Sequence, residues 1–165
     1  IPEGYIISQS AAPYSIIDKG SVIQVVISAG KGVEVPNYGS YTAATAATAS
    51  DKIKLTVVTR YSDSVAYGKL ISQSAAAKSK LLPDENYVTV VYSIGRPYIE
   101  NLTGKLEKDL APYFFGFTSQ GANISYTVSY VHSASPKGTV TGSSRYGEFL
   151  SMTDSVVVYV SDGTV

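Results

Sequence analysis

The sequence predicts an α+β fold of small units in tandem, each with one helix packed on a three-stranded sheet (β-α-β-β). Three observations predict it. The six letters ISQSAA occur at Ile7–Ala12 and return unchanged at Ile71–Ala76. Opening glycines at positions 4, 68 and 138 set a period of 64 to 70 residues, the mark of a repeat architecture. Between the repeats lie stretches whose apolar residues alternate with period two, as strands with one covered face do.

Each opening glycine precedes a short β-prone run: YIISQS, KLISQS or TVTGSS. A polar, Ala/Pro-rich loop follows, and then an apolar strand ending in Ser-x-Gly. These closing strands are Ser21–Gly30, Asn86–Gly95 and Asp154–Gly163. Ahead of the second and third runs stand two further alternating strands, Ile53–Asp63 and Ile124–Ser133. Ahead of those, VEVPNYGS (33–40) matches PYIENLTG (97–104) as a very short first strand.

Two segments are helical candidates. Ser40–Ser50 is rich in Ala, the best helix former, with Ser40 as N-cap and Tyr41, Ala44 and Ala47 on one face; its Thr residues weaken the pattern. In the last unit Leu102, Leu106, Leu110 and Phe114 step by four, with Thr103 as cap. Pro112 lacks an N–H, so a kink or an end near Ala111 is expected. A helix must cover one face of each sheet, because no other apolar surface is available. Residues 1–31 supply only the last two strands of such a unit. The chain therefore reads as a partial unit (1–31) and two complete ones (32–96 and 97–165), and as a piece of something longer.

Composition excludes several function classes. The 165 residues carry 13 basic and 13 acidic side chains, without the basic excess of a nucleic-acid binder or a polybasic membrane-surface domain. Cysteine is absent and His132 is the one histidine. Disulfides and thiolate sites are thereby excluded, and a zinc site on histidines needs more. Neither a metal nor a cofactor is expected. No apolar run of about 18 residues marks a membrane span.

The repeated Ser-x-Ser invites a nucleophilic reading, but a nucleophile needs a base and an oxyanion hole. One histidine cannot serve the same serine in several units, so the motif reads as a strand or turn part. His132 reads as an ordinary strand-end histidine. S-x-x-K, S-D-N and K-T-G are all missing, as are the P-loop, H-E-x-x-H and EF-hand signatures. Asn101-Leu-Thr and Asn123-Ile-Ser are formal glycosylation sequons.

The pattern G-x-(V/I)-(I/V)-S-Q-S, a Pro/Ala/Gly loop, a strand closing on V-S-x-G, and then V-P-N resembles PASTA domains. The matching residues are Gly4–Ser10, Val25–Gly30, Val35–Asn37, Gly68–Ser74 and Val90–Gly95. The last unit diverges, with Thr141-Gly142-Ser143 in place of Ser-Gln-Ser and Glu100 in place of Pro. These repeats occur in bacterial penicillin-binding proteins and transmembrane Ser/Thr protein kinases. The resemblance implies a rod outside the cytoplasmic membrane, in the cell-wall space, anchored by a span outside this segment. It implies a non-catalytic module that binds or senses peptidoglycan fragments (muropeptides), with a Ser/Thr kinase receptor the expected parent. The alternative is a rigid spacer or localisation module of a kinase or penicillin-binding protein with no ligand of its own. Self-association is a further expectation.

Sugar rings stack on aromatic faces and Arg grips carboxylates in bidentate fashion. Adjacent Arg and Tyr residues are therefore the binding candidates: Arg60 and Tyr61, Arg145 and Tyr146, and Arg96 and Tyr98 across the unit junction. The junctions, Gly30–Pro36 and Ile94–Tyr98, are too short for flexible linkers. Neighbouring units are expected to touch and to form an extended, fairly rigid array.

Overall fold

A computed structural model describes all 165 residues. It holds twelve strands and one α-helix in a mixed α/β arrangement of small sheets. Strands β1 (Ile6–Gln9) and β2 (Val25–Ile27) form an antiparallel pair. A short β3 (Val33–Glu34) precedes β4 (Lys54–Arg60), β5 (Leu70–Gln73), a short β6 (Lys80–Leu81) and β7 (Tyr87–Ser93). Next come a short β8 (Tyr98–Ile99), helix α1 (Leu110–Thr118), β9 (Ser125–Val131), β10 (Val140–Ser143), a short β11 (Glu148–Phe149) and β12 (Ser155–Ser161).

The middle sheet has the order β4-β7-β5 and the C-terminal sheet the order β9-β12-β10. The long outer strand is parallel to the central one over seven residues in each case. The glycine-led strand is antiparallel to the central strand and slips register once, between Leu70 and Ser72 or between Val140 and Gly142. The same slip occurs between Ile6 and Ser8. Such a bulge sets two residues against one and increases the local twist.

Alternation along the central strands aims Val88, Val90 and Tyr92, and likewise Val156, Val158 and Val160, into two separate cores. In β1 and β2 the positions of the same register, Ile6, Val25 and Ile27, lie on the surface. No hydrogen bond or ion pair joins residues 1–31 to the rest.

Several sequence expectations are corrected. The very short first strands lie outside the three-stranded sheets. β3 pairs with β6, and β8 with β11. Residues 40–50 form no α-helix; 3-10 turns stand at Tyr38–Ser40 and Ala46–Ala49. The reason lies in the triplet spacing T-A-A-T-A-A-T. Thr45 Oγ1 takes the Thr42 N–H at 3.0 Å, and Thr48 Oγ1 donates to Thr45 O at 2.6 Å. Side-chain bonds of this kind compete with helix. A period of three matches 3.0 residues per turn, so Ala43, Ala46 and Ala49 face the core together with Tyr41, while Ala44 and Ala47 are exposed. In the last region the helix starts where its end was expected. Pro112 is the third residue of α1, within the first turn, where its missing N–H costs nothing. Thr103 therefore caps no helix, and Leu106 stays exposed while Leu102, Leu110, Phe114 and Phe117 are buried.

Candidate functional site

The repeated ISQS stretch is a structural part, and its hydrogen bonds recur from copy to copy. Gly4, Gly68 and Gly138 donate N–H to Ser28, Ser93 and Ser161 carbonyls at 2.8–2.9 Å. All three glycines have φ between 81° and 85°, in the left-handed region that disfavours a side chain. The last serine of each run (Ser10, Ser74 and Ser144) accepts a backbone N–H from the opposing strand, at 2.9, 2.8 and 2.8 Å. Gln73 accepts from Tyr38 N at 3.1 Å and donates to Pro36 O and Ala75 O. The closing Ser28, Ser93 and Ser161 are buried, and each accepts the N–H of the glycine two residues on. The hydroxyls of the last serine of each run and of the closing serines are thus engaged by backbone.

His132 stands at the far tip of β9, largely exposed, 2.8 Å from Asp162 Oδ2 and 2.7 Å from Thr164 Oγ1. The Thr164 hydroxyl donates to Asp162 Oδ1. Its proton is therefore directed to the carboxylate and away from the imidazole, the wrong way for an activated nucleophile.

The junction between the middle and C-terminal sheets is the most structured surface. Tyr61 N–H donates to Gln120 O at 2.9 Å, and Thr59 Oγ1 donates to Gln120 Oε1 at 3.2 Å. Arg60 Nη1 reaches Ser119 O at 3.4 Å. Asp63 accepts the Met152 N–H through both oxygens, at 3.2 and 3.1 Å. Arg96 Nε donates to Leu150 O at 3.1 Å and lies 3.9 Å from Asp63. The Tyr61 ring lies against Phe117, 6.0 Å between centroids, and burial raises the pKa of its hydroxyl.

Two hollows flank this junction. One, of about 480 Å³, is lined by Asp63, Tyr67, Arg96 and Phe149 among others. Both Nη groups of Arg96 are without a partner in the fold. Tyr67 and Phe149 are exposed, and Phe149 meets Tyr98 edge-on at 5.2 Å. The second hollow, of about 280 Å³, is lined by Tyr61, Tyr98, Glu100 and Tyr113 among others. Burial raises the pKa of the Tyr113 hydroxyl too.

Of the sequence candidates, Arg60, Tyr61, Arg96 and Tyr98 gather at this one junction. Arg145 and Tyr146 line neither hollow. The Arg145 guanidinium is engaged by Glu148 and, at 2.8 Å, by Asp154. Glu148 first, then Asp154, raise its pKa. Tyr146 is exposed beside it. Sequence reasoning missed Tyr67, from a loop of the middle region, and Phe149, from β11, which come together only in the fold.

A search of curated proteins finds no match. Among solved structures, the chain is similar to the entire extracellular region of the Ser/Thr kinase PrkC from Staphylococcus aureus, at 20% identity and a TM-score of 0.39. That match covers 99% of this chain, which spans 59% of the other. It is also similar to the three-PASTA-domain of a Ser/Thr kinase from Staphylococcus aureus, at 21% identity and a TM-score of 0.40, covering 98% of this chain and 82% of that one. No helix of the protein is long and apolar enough to cross a membrane. The model of the PASTA domain family matches residues 33–94, which include β3 through β7 and the middle core. Over residues 33–94 the chain is similar to the PASTA domain, a non-catalytic module.

Proposed function

We propose that the chain is part of the extracellular, cell-wall-sensing region of a membrane-anchored bacterial Ser/Thr kinase, and that it binds peptidoglycan fragments at the junction after Gly95. The partial unit 1–31 and the complete units 32–96 and 97–165 are strung as a rod. The last two each carry a three-stranded sheet under a cover, 3-10 turns in the first and α1 in the second. The observation that carries the binding reading is the 480 Å³ groove, lined by Arg96 with its two free Nη groups and by the exposed rings of Tyr67 and Phe149. A guanidinium between aromatic platforms suits a ligand with both sugar rings and carboxylates. Arg60, Tyr61 and Tyr98 line or brace the same junction. Arg145 and Tyr146 are a weaker site, because Arg145 is already paired.

A second reading has its own support. The hydrogen bonds of Gln120, Met152 and Leu150 across the junction would suit a stiff spacer that binds nothing. Titrating the chain with soluble muropeptides, followed by amide NMR shifts, separates the two. Shifts at Tyr67, Gly95 and Phe149 that vanish in Arg96→Ala support binding. An unchanged spectrum at about millimolar ligand, where even weak sites of this kind fill, leaves the spacer.

A further inference from the structure

We infer that the outer edge of β9 is a self-association surface, on which a second copy of this chain adds its own β9 antiparallel across a two-fold axis at Val128. β9 is the open edge of the C-terminal sheet. Ser125 N–H and Val131 C=O bond toward the β12 side, to Asp154 and Asp162. In a parallel ladder the residues alternate in direction, so the N–H and C=O groups of Tyr126, Val128 and Tyr130 face outward, unpaired. An edge of this kind is a template for another strand.

The choice of a second copy rests on self-complementarity. With Val128 on the axis, Tyr126 faces Tyr130 of the other copy, Thr127 faces Ser129, and Ser125 faces Val131. Aromatic pairs and hydroxyl pairs directly opposite one another stabilise a sheet. No charged residue and no proline occurs from Ala122 to Val131, and these are the devices by which exposed edges are normally protected.

The corresponding edge of the middle sheet provides the contrast. In β4 the residues facing outward are Leu55, Val57 and Thr59, since Lys54 N–H and Arg60 C=O bond toward the β7 side. The equivalent two-fold would pass through Val57 and set Lys54 against Arg60 of the other copy, twice. Like charges directly opposite are destabilising. One edge is open to its own kind, and the other repels it. Closed two-fold pairing also limits the product to a dimer.

The register gives a sharp test, because the chain has no cysteine of its own. Two single variants of the full chain are made, Thr127→Cys and Ser129→Cys. The N–H groups of residues 127 and 129 point toward β12 and away from the new partner, so in a mixed dimer the two thiols sit in a non-hydrogen-bonded pair with Cα atoms about 4.5 Å apart, within disulfide reach. In a dimer of either variant alone the thiols are diagonal neighbours about 7–8 Å apart, beyond that reach. Under mild oxidation the mixture is expected to form covalent dimer at least about tenfold faster than either variant alone. Sedimentation of the unmodified chain is expected to show reversible dimer that Thr127→Lys weakens at least about tenfold, with an unchanged circular dichroism spectrum. Equal crosslinking rates in the mixture and the single variants, or an unmodified chain that stays monomeric up to about millimolar concentration, overturn the proposal.

Discussion

The middle and C-terminal sheets share strand order, register and the site of a bulge, yet the layers packed on them differ. Over the middle sheet lie Ala43, Ala46 and Ala49 in turns of 3-10 geometry. Over the C-terminal sheet lies α1, with Leu110, Phe114 and Phe117 buried. The rest of each core compensates. Where the middle core holds Tyr38 and Tyr92, the C-terminal core holds Leu102 and Val160. A thin layer goes with bulky core neighbours, and a thick layer with smaller ones. Cores conserve volume more strictly than identity, so one sheet plan tolerates two different covers.

The largest effect that distinguishes the two should come from Phe114→Ala. Phe114 is buried and its ring stacks on Tyr126 with centroids 4.4 Å apart. Losing it should cost the C-terminal region about 3–5 kcal/mol. Because the cores are separate, amide protection at Val156 and Val158 should collapse while that at Val88 and Val90 persists. Hydrogen exchange followed by NMR reads this directly. Equal losses in both sheets would show that they fold as one unit and would undo the comparison.

The compensation itself can be tested in the middle core. Ala46→Leu alone should overpack a fully buried site and cost about 1–3 kcal/mol. Tyr38→Leu alone should leave a cavity. Together they imitate the C-terminal arrangement, and their costs should fall short of additivity by about 0.5–3 kcal/mol. Urea unfolding of the four species completes the cycle, and simple additivity would refute volume exchange within the core. A smaller effect concerns the hydroxyl of Tyr92, which donates to Tyr38 O at 2.8 Å in the buried core. Tyr92→Phe should cost about 1 kcal/mol. Val160, its C-terminal counterpart, has no such bond to lose.

The strands were legible in the sequence because their signals are local. Glycines with positive φ open each antiparallel pair, Ser-x-Gly closes it, and period two runs between. The covers were not legible, for two physical reasons. Alanine has high helix propensity in any register, so only the triplet of threonines marked Ser40–Ser50 as 3-10. A proline ends a helix or begins one, and for Pro112 the choice depends on whether Leu102 belongs to the helix or to the turn before it. β6 and β11 have two residues each, too few for a period. The junction was half legible. Arg60 and Tyr61 are adjacent in sequence, but successive strand residues point to opposite sides. Each found its own partner across the joint, Ser119 for one and Phe117 for the other.

The smallest predicted effect is electrostatic and again separates the two regions. Asp154 precedes β12, and Asn86 holds the same place before β7. The Ser151 N–H, then Arg145, lower the pKa of Asp154. A carboxyl whose folded pKa is depressed contributes stability above its unfolded value and loses it as pH falls through the folded value. Asp162 is depressed likewise, chiefly by Thr164. The middle region has one such group, Glu34, lowered by Lys80. It belongs to an exposed pair of the kind that contributes little. Below about pH 4, where aspartates begin to protonate, the C-terminal sheet should therefore weaken first. Asp154→Asn gives the C-terminal region the residue that the middle one already has. It should lower stability at neutral pH and flatten the acid limb, read as amide protection in β12 against that in β7 between neutral pH and about pH 3. If β7 loses protection first, or if Asp154→Asn leaves the acid limb as steep as before, the carboxylate is not what distinguishes the two sheets in acid.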